Sequence, residues 1–361
     1  MNQFHLTAVA EFSIQYLQFQ NHQGELTQAL PATINDQILI KMYEAMALTR
    51  LFDTKAINLQ RTGQLGTYPS CHGQEAIGAG IGFAMRPEDV FYPYYRDHAV
   101  FLLRGLPMSD ILTYWNGDER GSASVDNPNS QDFPICVPIA GQCLHATGGA
   151  FAFKYRDEAR VAVTTIGEGG TSKGDFYEAI NLAGAWQLPL VFVVNNNQWA
   201  ISTPISEQTA CETIAQKAIG AGFEGIQVDG NDIIAVLAAM QYALDKARSG
   251  KGPTLIEALT YRLCDHTTAD DASRYVPKEE LTLAWEQEPI KRFRHYLETQ
   301  SLWNEKEEQS LQTRCQEEVT KAIEEYATIP PQPITAMFDF MYETPPKSLK
   351  LQRAIAEQFK E

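Results

Sequence analysis

At 361 residues and 44% hydrophobic content the chain can fill one large core or two ordinary ones, and 29 basic against 45 acidic residues leave a formal charge of −16 that repels phosphate backbones and argues against nucleic-acid partners. Six scattered cysteines without a C-x-x-C pair argue against a disulfide framework or zinc knuckle and suit a reducing, cytoplasmic compartment. No apolar run reaches the roughly 18–20 residues that span a bilayer, and the first residues lack the pattern of a targeting peptide, so a soluble chain with no membrane partner is expected.

Residues 1–35 mix short apolar and polar runs and read as an N-terminal arm. From Asn35, DQILIKMYEAMALTRLFDTKAINLQRTG places apolar residues at helical spacing and stops at Gly63, which predicts a long capped helix. GQEAIGAGIGFAM (73–85) predicts a second helix whose small residues permit close packing, either in the core or against another subunit, and Pro87 ends it. The polar stretch 116–134 reads as an irregular excursion. A helix near 142–155, a strand at 160–166, a helix from Asp175 and a strand at 188–194 follow. A further cycle has a helix around 209–221, a strand at GIQVDG, a helix over 231–249 and the strand TLIEALTYR. Continuous Val, Ile and Leu in alternating strands predict an α/β fold, a doubly wound, mainly parallel sheet with helices on both faces. Charged amphipathic helices are predicted over 279–300 and 304–326, then the proline-rich IPPQPI, giving an arm at 1–35, a main domain at 36–330 and a tail at 331–361.

The chemistry concentrates in IGEGGTSKGDFYEAINLAGAWQLPLVFVVNNNQ (166–198). In a doubly wound sheet, ligands sit beyond the carboxyl ends of the strands, where both Gly167-Glu168-Gly169-Gly170 and the asparagine run fall. Glycines let backbone N–H groups approach an anion near a helix start, while Glu168 and the asparagine amides offer hard oxygen donors suited to Mg²⁺ beside a diphosphate. The same residues also make an ordinary tight turn and strand end. No Gly-x-x-x-x-Gly-Lys loop is present, and GAGIGF at 78 lies within a helical pattern, which argues against ATP and NAD sites.

Gly167-Glu168-Gly169 followed one strand later by Asn196-Asn197 resembles the thiamine diphosphate signature. GDFYEAINLAGAWQLPLVFVVNNNQWAIS, VDGNDIIAV and IEALTYR resemble the alpha subunits of heterotetrameric 2-oxo acid dehydrogenases, a likeness that runs from about 36 to 345. The resemblance implies thiamine diphosphate and Mg²⁺ as cofactors, with Glu168, the Asn197 side chain and the Trp199 carbonyl as metal ligands and Gly169 and Gly170 along the diphosphate. The family more often has Asp at 168, although its branched-chain members also use Glu. YPYYRDHAV implies Tyr95 and Arg96 at the diphosphate, a role the planar guanidinium suits; a structural arginine pairs instead with a carboxylate such as Asp97. PICVPIAGQ places Ile139 at the aminopyrimidine, with Ala140-Gly141 where many relatives have Gly-Ala. YRLCDHTTADDASRY implies Arg262 near the diphosphate and His266 as the catalytic histidine at the active-site mouth, with Cys264 and Asp265 where relatives often carry His and Gly.

The resemblance further implies a two-alpha, two-beta heterotetramer with a shared site, a 2-oxo acid substrate, and transfer of the acyl group to the lipoyl domain of a dihydrolipoyl acyltransferase. RTGQLGTYPSCHGQEA and YWNGDERG look closest to the bacterial pyruvate-specific branch. Glu168 and ALTYRLCDHTTADDASRY also suit the branched-chain branch, and acetoin cleavage and a non-catalytic partner subunit are the other readings.

Overall fold

The computed structural model describes residues 6–122 and 131–359. Six parallel strands form one sheet in the order β1-β7-β8-β4-β3-β2: β1 Gln15–Leu17, β2 Val90–Tyr92, β3 Ala162–Gly167, β4 Leu190–Asn196, β7 Glu224–Asp229 and β8 Thr254–Leu259. The short strands β5 Trp199–Ala200 and β6 Thr203–Pro204 make a separate antiparallel ribbon.

The near-continuous apolar runs follow from burial on both faces, because successive side chains of a strand point to opposite sides. In β4, Val191 and Val193 join one core cluster with Ile77, Ile81, Val236 and Met240, from the helices Glu75–Ala84 and Ile233–Arg248. Leu190, Phe192 and Val194 join the opposite cluster with Ala146, Ala150, Phe176 and Ala179, from the helices Gly141–Tyr155 and Gly174–Ala185. The predicted α/β sheet with helices on both faces is the observed one.

The long N-terminal helix spans Asp36–Arg61, capped by the Asn35 side chain on the Ile38 N–H, and Gly63 follows it with φ of 75°. The small residues of Glu75–Ala84 serve the chain's own core. A Cβ on Gly78 would lie 2.8 Å from Ala99 Cβ and one on Gly80 would lie 2.6 Å from Val236 Cγ1.

Two expectations need correction. The predicted helix at 209–221 shrinks to Lys217–Gly220. Thr213 and Gln216 exchange side-chain bonds with each other's backbone N–H, and the Ala215 N–H is drawn to Glu257 on β8, so the preceding residues satisfy their polar groups without helical bonds. The predicted helix at 279–300 divides into Lys278–Glu286 and Pro289–Thr299, since Pro289 cannot continue a helix but starts one well, with Glu288 capping Ile290 and Lys291. Of the excursion expected at 116–134, residues 123–130 lie outside the described residues; Glu119–Ser122 form a short helical turn and Asp132 pairs with Arg104.

The two edge strands, β1 and β2, are not among the elements the sequence predicts. β1 pairs with β7, and the backbone N–H groups of Phe19 and Gln20 both reach Asp232 Oδ2 at 2.6 Å, tying the N-terminal segment to the start of the Ile233–Arg248 helix. No helix among the described residues is long and apolar enough to cross a membrane.

Candidate active site

β3 and β4 are neighbours in register, with Gly167 beside Asn195, so the turn after β3 and the asparagines ending β4 emerge side by side at the carboxyl edge. The turn, Glu168–Ser172, is a short 3₁₀ segment. Glu168 is only 2% exposed, yet its carboxylate makes no ion pair among the described residues. Its Oε2 accepts the Asn197 backbone N–H at 3.2 Å, and its Oε1 accepts Gln208 Nε2 at 3.4 Å. Burial raises its pKa above the ordinary carboxylate value, and its own backbone N–H, those two donors and the Arg262 charge only partly oppose the shift. A buried carboxylate without a direct ion pair is costly, since Arg262 acts on it only from a distance, and a bound cation would relieve it.

The asparagines have separate tasks. Asn196 Nδ2 donates to Glu257 Oε1 at 2.7 Å on the neighbouring strand, so that side chain belongs to the sheet. Asn197 lines the cleft, its Oδ1 accepting the Trp199 N–H at 3.3 Å. The β5–β6 ribbon then turns the chain through left-handed backbone at Gln198 and Ile201. The Trp199 carbonyl accepts Arg262 Nη1 at 3.2 Å, so the oxygen expected to face a metal also has a guanidinium partner. Glu168 carboxylate, Asn197 amide and Trp199 carbonyl are all hard oxygen donors, which fits a small divalent ion.

The two glycines pack more closely than a simple open cradle requires. A Cβ at Gly169 would stand 2.5 Å from Ala200 Cβ, and one at Gly170 would stand 2.7 Å from Ile166 and 2.9 Å from Ile139. Their absent side chains let the turn nest against both walls.

Arg96 projects from the segment after β2. Its Nη1 donates to the Ser70 carbonyl at 2.6 Å, and its Nη2 donates to the His266 carbonyl at 2.5 Å and to His266 Nδ1 at 2.9 Å. It does not pair with Asp97, which accepts the Tyr94 N–H and the Thr165 hydroxyl instead. The Tyr95 ring lies 5.2 Å from the Arg96 guanidinium and 6.3 Å, edge-on, from the His266 ring. Burial, then Arg96, then Arg262 bring the His266 pKa down to about 3, so the ring is neutral at physiological pH. With Nδ1 accepting from Arg96, the neutral tautomer carries its proton on Nε2.

Nine of the ten sequence-predicted site residues line one cleft of about 330 Å³: Tyr95, Arg96, Ile139, Glu168, Gly169, Gly170, Asn197, Trp199 and His266. Arg262 stands behind its wall, bonding Trp199, Ile201 and the Tyr275 hydroxyl. Ile139 is 40% exposed, and its carbonyl accepts Lys173 Nζ at 2.9 Å. Sequence reasoning missed Gln142, which lines the cleft; its Nε2 donates to the Thr165 carbonyl while its buried Oε1 has no partner among the described residues. Its position directly after Gly141, within the quoted PIAGQ run, was the available signal.

Similarity to known proteins runs along most of the chain. A model of the family described as dehydrogenase E1 component matches residues 43–335. The chain is 42% identical over 345 residues to the pyruvate dehydrogenase E1 component subunit alpha of Bacillus subtilis (strain 168), covering 94% of this chain and 92% of that one. It is 42% identical over 318 residues to the 3-methyl-2-oxobutanoate dehydrogenase subunit alpha of Mycobacterium tuberculosis (strain ATCC 25618 / H37Rv), covering 88% and 86%. With the Staphylococcus aureus (strain COL) pyruvate dehydrogenase E1 component subunit alpha it shares 41% over 335 residues, covering 92% and 90%. Matched along most of its length by the family and by these relatives, this chain belongs to the dehydrogenase E1 component family.

Proposed function

We propose that this chain is the alpha subunit of a thiamine diphosphate-dependent 2-oxo acid dehydrogenase that acts on pyruvate together with a separate beta subunit. The observation that carries the reading is Glu168, a buried carboxylate without an ion pair among the described residues, at the tip of β3 and set against Asn197 beyond the tip of β4 in one cleft. Glu168, Asn197 and the Trp199 carbonyl would hold Mg²⁺, and Tyr95, Arg96, Gly169 and Gly170 would hold the diphosphate, with Ile139 toward the aminopyrimidine. Bound thiamine diphosphate supplies a nucleophilic carbon and an electron sink for decarboxylation.

The chain's own residues supply position and field. Arg96 and Arg262 bring positive charge to the region where a diphosphate would lie, and Arg96 can present a planar fork to two of its oxygens. Their charge also keeps His266 neutral, with Nε2–H available to hold or deliver a proton near the reacting carbon. Ile139, Ile166 and Ile201 give the cleft apolar walls that exclude water and strengthen these fields. The acyl group then passes to the lipoyl domain of a dihydrolipoyl acyltransferase, and the working assembly is a two-alpha, two-beta heterotetramer.

Co-expression with the beta subunit, followed by thermal melting with Mg²⁺ and thiamine diphosphate, tests cofactor binding: a raised Tm is expected, and an unchanged Tm counts against the site. Dye reduction with pyruvate, 2-oxobutyrate and 3-methyl-2-oxobutanoate then tests substrate. Pyruvate is expected to have the highest kcat/KM; preference for 3-methyl-2-oxobutanoate would support the branched-chain reading, which the similarity to the Mycobacterium tuberculosis protein favours.

A further inference from the structure

Outside the cleft, Cys264, His72 and Asp53 form a hydrogen-bonded series that the proposed reaction does not use. Cys264 Sγ lies 2.9 Å from His72 Nδ1, and the opposite ring nitrogen, Nε2, lies 3.2 Å from Asp53 Oδ2. Asp53 is fully buried and held in place by the Tyr68 hydroxyl, the Ser70 hydroxyl and the Cys71 N–H. A nucleophile within reach of a base, with that base oriented by a third group, is the geometry of an activated thiol. Burial pulls the His72 pKa down, but the bond to Cys264 and the charge of Asp53 overcome it and push it up to about 9. A cationic ring at that distance is the setting in which cysteine sulfur reacts readily.

Access comes from a second cleft of about 360 Å³, lined by Cys264, Tyr68, Ser70, Thr268, Val276 and Leu281. Cys136 and Cys211 are also partly exposed, but among the described residues only Cys264 has a histidine as hydrogen-bond partner. The frame around the sulfur is fixed: the Leu263 N–H donates to the His72 carbonyl, and Tyr68 and Thr268 exchange two bonds of 3.0 Å.

We propose that Cys264, with His72 and Asp53, is a peroxide-reactive site that takes small hydroperoxides and carries a reversible sulfenic acid. The sulfur lone pair attacks one peroxide oxygen, the S–O bond forms as the O–O bond breaks, and the departing oxygen takes the proton held between sulfur and His72. Thiol and ROOH thus become sulfenic acid and ROH; sulfur loses two electrons and the peroxide gains them. The oxidised atom lies in the same segment as His266, beside the candidate active site.

The test uses the full chain with its beta partner, hydrogen peroxide as oxidant, dimedone as trap and peptide mass spectrometry as readout. Cys264 is expected to be trapped about tenfold faster than Cys136 or Cys211. His72→Gln should bring Cys264 to their rate without changing theirs, and the wild-type comparison decides by itself should that variant fail to fold. Equal trapping of the three cysteines in the wild type, or undiminished Cys264 trapping in a folded His72→Gln protein, overturns the proposal.

Discussion

Arg96 Nη2 donates to His266 Nδ1 at 2.9 Å, and Arg262 Nη1 stands 3.5 Å from the same nitrogen, so one imidazole faces two guanidinium groups. Arg96→Gln removes one positive charge and should raise the His266 pKa from about 3 toward the unperturbed value of about 6.5. NMR titration of the ring reads this directly. An unmoved pKa would show that burial and Arg262, rather than Arg96, set the protonation state.

The two histidines beside this region respond to pH in opposite directions. His266 has a lowered pKa, so its contribution to stability is present above about 6.5 and is lost as pH falls toward about 3. His72 has a raised pKa, so its contribution is complete below about 6.5 and is lost as pH rises through about 9. Replacing His72 by Gln should therefore flatten the alkaline limb of a Tm-against-pH curve and leave the acid limb in place.

Asp53→Ala is expected to cost about 3–5 kcal/mol, because it strands buried donors from Tyr68, Ser70 and Cys71 and leaves His72 without its carboxylate. Urea unfolding measures the loss. A cost under 1 kcal/mol, on the scale of an exposed pair, would mean that the network is replaceable by water.

Asn196 and Asn197 should separate cleanly. Asn196→Ala leaves Glu257 Oε1 without its partner inside the sheet and should lower stability by about 1–3 kcal/mol. Asn197→Ala should leave assembly intact and abolish the Mg²⁺-dependent rise in Tm. Calorimetric titration with Mg²⁺ and thiamine diphosphate distinguishes the pair, and equal affinity in wild type and Asn197→Ala would falsify the ligand assignment.

Gly73→Ala should destabilise by about 3 kcal/mol. The residue has φ of 94°, and an added Cβ would collide with the Tyr261 carbonyl. The melting temperature of the variant checks this, and a Tm equal to wild type would show that the 73 and 261 segments can separate at no cost.

Much of the architecture was legible because it is written in local patterns. β3, β4 and β8 are buried on both faces and so read as unbroken apolar runs, while Asn35 and Gly63 bracket their helix by capping chemistry alone. The edge strands were not legible. Gln15–Leu17 and Val90–Tyr92 are three residues each, too short for a period to show, and they exist only because a neighbouring strand offers its free edge. In the site, glycine spacing and the resemblance located the residues that line the cleft, but neither could show that Asn196 turns to Glu257 or that Arg96 grips His266. Those depend on which side chain a distant strand or loop presents. The link between His72 and Cys264 spans 192 residues and has no sequence signature at all.

The edge position of β1 bears on how the sheet assembles. Gln18 meets Asp229 across 211 residues, so the β1 segment has no docking place until the distant β7 has formed. Until then its backbone groups stay hydrated and the outer edge of β7 is unpaired. Truncating the first twenty residues should therefore leave early folding unaffected and impair the final closure of the sheet.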